Sequence, residues 1–277
     1  SAASDVYKRQ AGGAAEAAVR RALAGGLLLA ATLLAGCASS GDQVSSGLWH
    51  HQAGLWAQAG PRLVDGVPAL ERQNPADPRL PTAYLALGDM AAAAGRHDVA
   101  DDNYGRALRA ARAYHAGNPT LLRNALVHRG NFLRERGRAA EAIALLSEAE
   151  AISARETSVP KVLNAIDLDN LSVAYQAVPD FPQAERLSRR ALAVLDTIEQ
   201  TPAVGSTRGV VLYNAAYGLA EVGRNAEAEA LYRQALPLVS KGPDRWRVEV
   251  VRKQYAQLLR KMGREAEAKT MAGPVRD

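Results

Sequence analysis

Between residues 77 and 272, small and apolar residues recur at helical spacing, and short turns break the pattern at near-constant intervals. The turns are Ala94-Gly95-Arg96, Arg136-Gly137-Arg138, Val178-Pro179-Asp180, Val222-Gly223-Arg224 and Met262-Gly263-Arg264, with central residues 42, 42, 44 and 40 apart. Five residues after each centre stands an alanine: Ala100, Ala142, Ala184, Ala228 and Ala268. Seven before it stands a small residue: Gly88, Gly130, Ser172, Ala216 and Ala256. A further alanine column follows at Ala107, Ala149, Ala191 and Ala235, and Tyr104, Leu146, Ser188 and Tyr232 fall between the two alanine columns. Pro119, Pro160, Pro202 and Pro243 form a second register, where the second helix of a pair must stop. Each unit therefore reads as helix, tight turn, helix. The small columns mark close approach of two helices, and a single pair can bury its apolar face only against the next.

Composition fits this reading. Of the 277 residues, 48% are hydrophobic but only 5% are aromatic, so the apolar mass is small and medium side chains suited to close helix packing. Net charge is +5, with acidic and basic residues interleaved and no basic block, which argues against a nucleic-acid partner. The five histidines, His50, His51, His97, His115 and His128, lack metal-ligand spacing. No phosphate-binding glycine loop and no nucleophile elbow is found. The expectation is a protein that is not an enzyme, with no cofactor, no metal and no small-molecule substrate.

The columns match the consensus of tetratricopeptide repeats. The resemblance spans Asp77 to about Ala272, in five units. Their period near 42 resembles the kinesin-light-chain subtype, as do the runs 168–175 with 183–192 and 212–217 with 226–236. It implies an all-α fold: a right-handed superhelical solenoid of antiparallel helix pairs. The third unit departs from the pattern, with Pro179 in place of the turn glycine and Pro182 in the next helix's first turn. Upstream, residues 48–76 read as a degenerate helical cap or a sixth hairpin. Gly54 lies 34 residues before Gly88, Leu70 fits the large column, Pro61 and Pro68 make the segment irregular, and Trp49 and Trp56 are expected to cover the first full unit. The last second helix spans about two turns before Gly273 and Pro274, and residues 273–277 form a tail.

The N-terminal residues are not read as fold. The run Asp5 to Gln10 matches the in-frame translation of a transposon sequencing adapter, so residues 1–10 are set aside. In residues 11–36, Arg20 and Arg21 precede an apolar run, Ala22 to Gly36, that is too short to span a bilayer and fits a secretory signal peptide. Leu34-Ala35-Gly36-Cys37 resembles the lipobox of bacterial lipoproteins. That resemblance implies acylation of Cys37, the chain's one cysteine, and stable anchoring in a membrane. Ala38, rather than Asp, follows Cys37, which implies the inner leaflet of a Gram-negative outer membrane, facing the periplasm. Residues 37–47 are small and polar and read as a flexible tether.

In tetratricopeptide proteins the first helices line a concave groove. Two columns fall there: Ala86, His128, Asn170, Asn214 and Gln254, and Asp89, Asn131, Val173, Tyr217 and Gln257. An amide both donates to and accepts from a peptide backbone. The resemblance carries a peptide-contacting asparagine onto Asn170 and Asn214, with His128 and Gln254 as looser matches. The candidate groove is thus His128, Asn131, Asn170, Asn214, Tyr217 and Gln254, holding an extended peptide or protein partner. The alternative is that these side chains are solvated or bond neighbouring helices. Arg134, Arg260 and Lys261 stand near the groove, to pair with an acidic ligand or to form a solvated face beside Glu135 and Glu221. Two functions follow: a lipid-anchored periplasmic scaffold for envelope assembly or secretion, or a structural lipoprotein subunit whose groove stays empty.

Overall fold

The alanines and glycines of the register are where two helix backbones meet. The computed structural model describes residues 39–114, 117–242 and 245–273. Among the described residues all regular structure is helical, in twelve helices. They are α1 (Ser40–Gln52), α2 (Trp56–Gln73), α3 (Leu80–Ala93), α4 (His97–Tyr114), α5 (Pro119–Glu135), α6 (Ala139–Arg155), α7 (Lys161–Ala177), α8 (Phe181–Asp196), α9 (Pro202–Glu221), α10 (Asn225–Val239), α11 (Arg245–Lys261) and α12 (Glu265–Ala272). The chain forms two compact units, one ending at Arg129 and one beginning at Gly130, with the boundary inside α5. The signal-peptide run and Cys37 lie outside the described residues, as do Pro243 and Pro274. No described helix is long and apolar enough to cross a membrane.

In the first unit, α1 pairs with α2 and α3 with α4, and the two hairpins stack. Gly88 faces Tyr104, whose ring lies 2.6 Å from where a Cβ at residue 88 would sit. The residues before Asp77 correct the sequence reading in three ways. Residues 40–47, expected as part of a tether, are helical, because Ser39 and Asp42 form a reciprocal capping box that starts α1. Residues 40–73 form a complete hairpin with Gly54 as its turn residue, 41 before Gly95, and not as a counterpart of Gly88. Gly47, Ala59, Leu63 and Gly66 then fall into the register, and the large position is Leu63, not Leu70. Helix α2 runs through Pro61 and Pro68 because both face solvent, opposite the buried stripe Ala59, Leu63, Val67 and Leu70. The carbonyls that lose a partner there remain open to water. Finally, Trp49 is 61% exposed and its ring meets the adjacent His50 edge-on; Trp56 is half-buried and stacks on His51.

In the second unit, α7 packs on α8, α9 on α10 and α11 on α12, and successive first helices touch. Ala142, Ala149, Ala184, Ala191, Ala228, Ala235 and Ala268 are buried, as the register requires. Where the third pair carries Ser172 opposite Ser188, the two hydroxyls lie 2.9 Å apart and Ser172 donates to the Ala184 carbonyl. Two small polar residues thus replace a glycine facing a large apolar one. The turns at Gly137, Gly223 and Gly263 sit at φ 76° to 79°, and each following amide donates back to a carbonyl five residues earlier. Pro119 and Pro202 each open the next first helix, a position where the missing N–H costs nothing. A repeated ion pair joins successive second helices. Arg224 bonds Glu227 on its own helix and Glu185 on α8, and Arg264 bonds Glu267 and Glu229 on α10.

Candidate functional site: a polar ladder on the first helices

Of the six candidate groove residues, His128 belongs to the first unit and the other five to the second. Helical spacing sets His128 two turns before the end of α5, where its Nδ1 lies 3.2 Å from Asp89 Oδ1 on α3. The same Asp89 oxygen accepts from the Tyr104 hydroxyl at 2.8 Å, and His51 Nε2 lies 4.0 Å from Asp89 Oδ2. Asp89 therefore ties α3 to α4 and to the first-unit part of α5, with His51 of α1 close by. Burial pushes the His51 imidazole below its ordinary range, while the Asp89 carboxylate opposes that shift and His128 adds to it. His128 itself is 41% exposed and open to solvent.

In the second unit the amides sit where neighbouring first helices approach. Asn131 Nδ2 donates to Asn170 Oδ1 at 3.4 Å, linking α5 to α7. Asn214 on α9 donates to Asp169 Oδ2 at 2.8 Å, and its own carbonyl accepts from Gln176 at 3.0 Å. Tyr217 is exposed and Gln254 is buried. The amide column thus serves partly as a cross-link between helices, the alternative weighed from the sequence.

The centre of this region is a residue that the register did not single out. Asp169 is buried, and Oδ1 has no hydrogen-bond partner. Burial pushes its pKa up to about 7, opposed by the Asn214 hydrogen bond and by the Arg134 and Arg247 guanidiniums. Arg134 is itself desolvated, which pushes its pKa down. Its Nε is buried without a partner, and its Nη2 lies 3.5 Å from Glu135. Burial also raises Glu135. Arg260 and Lys261 have structural tasks instead: Lys261 Nζ caps the Ala220 carbonyl at 2.6 Å, and Arg260 lies 3.7 Å from Glu265. The available signal for Asp169 was a carboxylate inside the Leu168 to Leu171 run, beside Asn170. Chemically, the ladder offers donors and acceptors on adjacent helices. Among the described residues no group of three His, Cys, Asp or Glu side chains is placed to hold a metal ion.

Comparison with known proteins finds one repeat family over part of the chain. The tetratricopeptide repeat profile matches residues 121–197, which span α5 to α8. No curated protein sequence matches the chain. Among solved structures, BtubC (BKLC) from P. vanneervenii is similar at 17% identity and TM-score 0.61, over 86% of this chain and 96% of that one. A putative kinesin light chain of Podosopora anserina with nearly identical TPR-like repeats aligns at 18% identity and TM-score 0.57, over 72% and 94%. PilW, described as a widely conserved type IV pilus biogenesis factor, aligns at 16% and 0.60, over 84% and 90%. These likenesses show the fold: an all-helical array of tetratricopeptide-type hairpins, with the repeat family's own signature in residues 121–197.

Proposed function

We propose that this chain is a lipid-anchored periplasmic scaffold that holds an extended segment of a partner protein against its first helices. The observation that carries the reading is the amide ladder. Asn131, Asn170 and Asn214 stand on three successive first helices of the second unit, each half-buried. A row of amides meets the alternating donors and acceptors of an extended main chain. Tyr217 adds an exposed aromatic surface beside it. Anchoring rests on the arginine pair, apolar run and Leu34-Ala35-Gly36-Cys37 box, and the outer-membrane assignment on Ala38. Likeness to a pilus biogenesis factor makes envelope assembly the natural setting.

The test is photocrosslinking in the native host from a photoreactive residue at Tyr217. Crosslinks to foreign peptides are expected, and they should weaken at least several-fold in Asn170→Ala with Asn214→Ala while circular dichroism stays intact. Unchanged capture by that variant removes the ladder from the binding role. A second reading, a structural subunit with nothing in the groove, is favoured by the Asn131–Asn170 and Asn214–Asp169 bonds; it predicts links only between copies of this chain. An alkyne fatty acid should label the chain through Cys37 and not label Cys37→Ser.

A further inference from the structure

Helix α1 begins at Ser40, three residues after Cys37, and its first turn is fixed on two sides. Ser40 Oγ donates to Gln73 Oε1 at the end of α2 at 2.7 Å, and Arg79 Nη1 donates to the Gly41 carbonyl at 2.8 Å and to Ser45 Oγ at 2.9 Å. Three residues of fully extended chain span at most about 11 Å, so the Cα of Cys37 lies no farther than that from the Cα of Ser40. The start of α1, and with it the last turn of α2, is therefore held close to Cys37. Helix α2 turns an apolar face outward. Ala57, Pro61, Val64 and Pro68, at i, i+4, i+7 and i+11, are all exposed, Val64 by 59%, on the side away from the buried stripe that ends at Leu70. The second helices α4, α6, α8 and α10 do not repeat this face. Counted from each turn, the same positions include Asp98, Asp102 and Arg109 on α4, Arg186 and Arg189 on α8, and Arg233 on α10, all charged. On α6 they are three alanines and Ser147, none as large as valine.

We propose that the outer face of α2 rests on the membrane surface at the depth of the lipid headgroups, held there by the acyl chains on Cys37. This docking depends on the anchoring of Cys37 proposed above. A module on a long linker explores a volume set by that linker and leaves its anchor freely. Here only Ala38 and Ser39 separate Cys37 from α1, so the first hairpin stays at the bilayer at high local concentration, and a weak affinity suffices. An exposed apolar stripe beside polar neighbours, here Arg62, Asp65 and Arg72, is the pattern of a helix that lies in the interface plane. Backbone chemistry sets the depth. Pro61 and Pro68 offer no N–H to the Ala57 and Val64 carbonyls, which need water instead. The hydrated headgroup layer supplies it and the hydrocarbon core does not.

The test uses the full chain, isolated from host membranes and placed in vesicles of phosphatidylethanolamine and phosphatidylglycerol. One introduced cysteine carries an environment-sensitive fluorophore; Cys37, consumed as the lipid thioether, does not react with the label. Labels replace Pro61, Val64 or Pro68 on the stripe, or Gln58, Arg62 or Asp65 on the polar flank, all exposed positions. Nitroxides on the lipid headgroups should quench the stripe labels about twofold or more beyond the flank labels, and nitroxides deep in the acyl chains should quench them less. Val64→Asp, at a solvent-facing position that leaves folding intact, should bring labels at 61 and 68 down to the flank level. The mass of the Cys37 fragment reports acylation separately. An acylated chain whose stripe labels are quenched no more than its flank labels overturns the docking and leaves the anchor standing. A chain without acyl groups on Cys37 overturns anchor and docking together. Stripe labels that shift to the blue without quenching by lipid would mean that a second copy of this chain covers the face. Quenching unmoved by Val64→Asp would mean that the stripe is not what makes contact. Either result ends the proposal.

Discussion

Replacing Asp169 by asparagine should make the protein more stable at neutral and alkaline pH, although it removes a buried ionisable residue between two arginines. The unfolded carboxyl ionises near its ordinary 3.8, while the folded one ionises at about 7. Between those values the native state keeps a proton that the unfolded chain has released. Stability contributed by this group is therefore fully present below about pH 4 and is lost as pH rises towards 7. At 1.36 kcal/mol per pH unit, the gap is worth at most about 4 kcal/mol, with the opposing pull of Arg134 and Arg247 already included. The substituted amide would still accept the Asn214 hydrogen bond through its oxygen and would not ionise. Urea unfolding followed by far-UV circular dichroism, from about pH 4 to about pH 8, gives the comparison. The wild type should weaken across that range, and Asp169→Asn should weaken much less, retaining the slope of Glu135, which burial raises in the same direction. The variant should exceed the wild type by up to about 4 kcal/mol at pH 8 and approach it at pH 4. A variant less stable than wild type at pH 8, or one with the same pH slope, would refute the assignment of a desolvated carboxyl held near neutrality.

Two further predictions test the packing. Gly205→Ala and Gly209→Ala lie one turn apart on α9. A Cβ at 205 would have its nearest neighbour at 4.0 Å, whereas one at 209 would sit 2.8 Å from Val239 Cγ1 and 3.0 Å from the Val239 backbone nitrogen. The first should gain about 0.5 kcal/mol from helix propensity, and the second should lose about 1–2 kcal/mol as overpacking outweighs that gain. Equal midpoints in urea would show that α9 and α10 do not meet this closely. In the turns, Pro179 sits at φ 25° where the five corresponding glycines, Gly54 included, lie at 72° to 79°. It also lacks the N–H that Gly95, Gly137, Gly223 and Gly263 donate to the carbonyl three residues back. Pro179→Gly should stabilise by about 1 kcal/mol and raise the Tm by roughly 2–4 °C; a lower Tm in calorimetry would mean that the ring's rigidity outweighs its misfit.

The register was legible because close packing punishes bulk: at Gly88 or Gly130 any side chain meets the facing Tyr104 or Leu146, so small residues recur at a period that the bare sequence displays. The first hairpin was obscured for two physical reasons. A serine- and glycine-rich stretch has the composition of a linker, and only the reciprocal bonds of Ser39 and Asp42 turn it into a helix start. Prolines at 61 and 68 look like breaks until burial shows that both face water. Once Gly54 is paired with Gly95 rather than Gly88, all the spacings agree.

The chemistry was harder to read than the packing, because a period assigns columns but not partners. Asn170 and Asn214 were placed on adjacent first helices by spacing alone, yet the carboxylate that Asn214 holds sits one residue away from the column, on the turn of α7 that faces α9. The same limit hid the arginine pairs. The spacing Gly-Arg-x-x-Glu recurs at Gly137 to Glu141, Gly223 to Glu227 and Gly263 to Glu267 and is visible as a motif. Glu185 and Glu229, which receive the other arm of Arg224 and Arg264, come from the preceding hairpin and become partners only when the hairpins stack. The small-residue register is therefore legible within each hairpin, while these charged partners are supplied by the neighbouring one. The Asp169 cluster belongs to the second kind. A buried, half-satisfied carboxyl costs stability at neutral pH that an uncharged isostere would not, which is the physical reason to look for its use in binding rather than in folding.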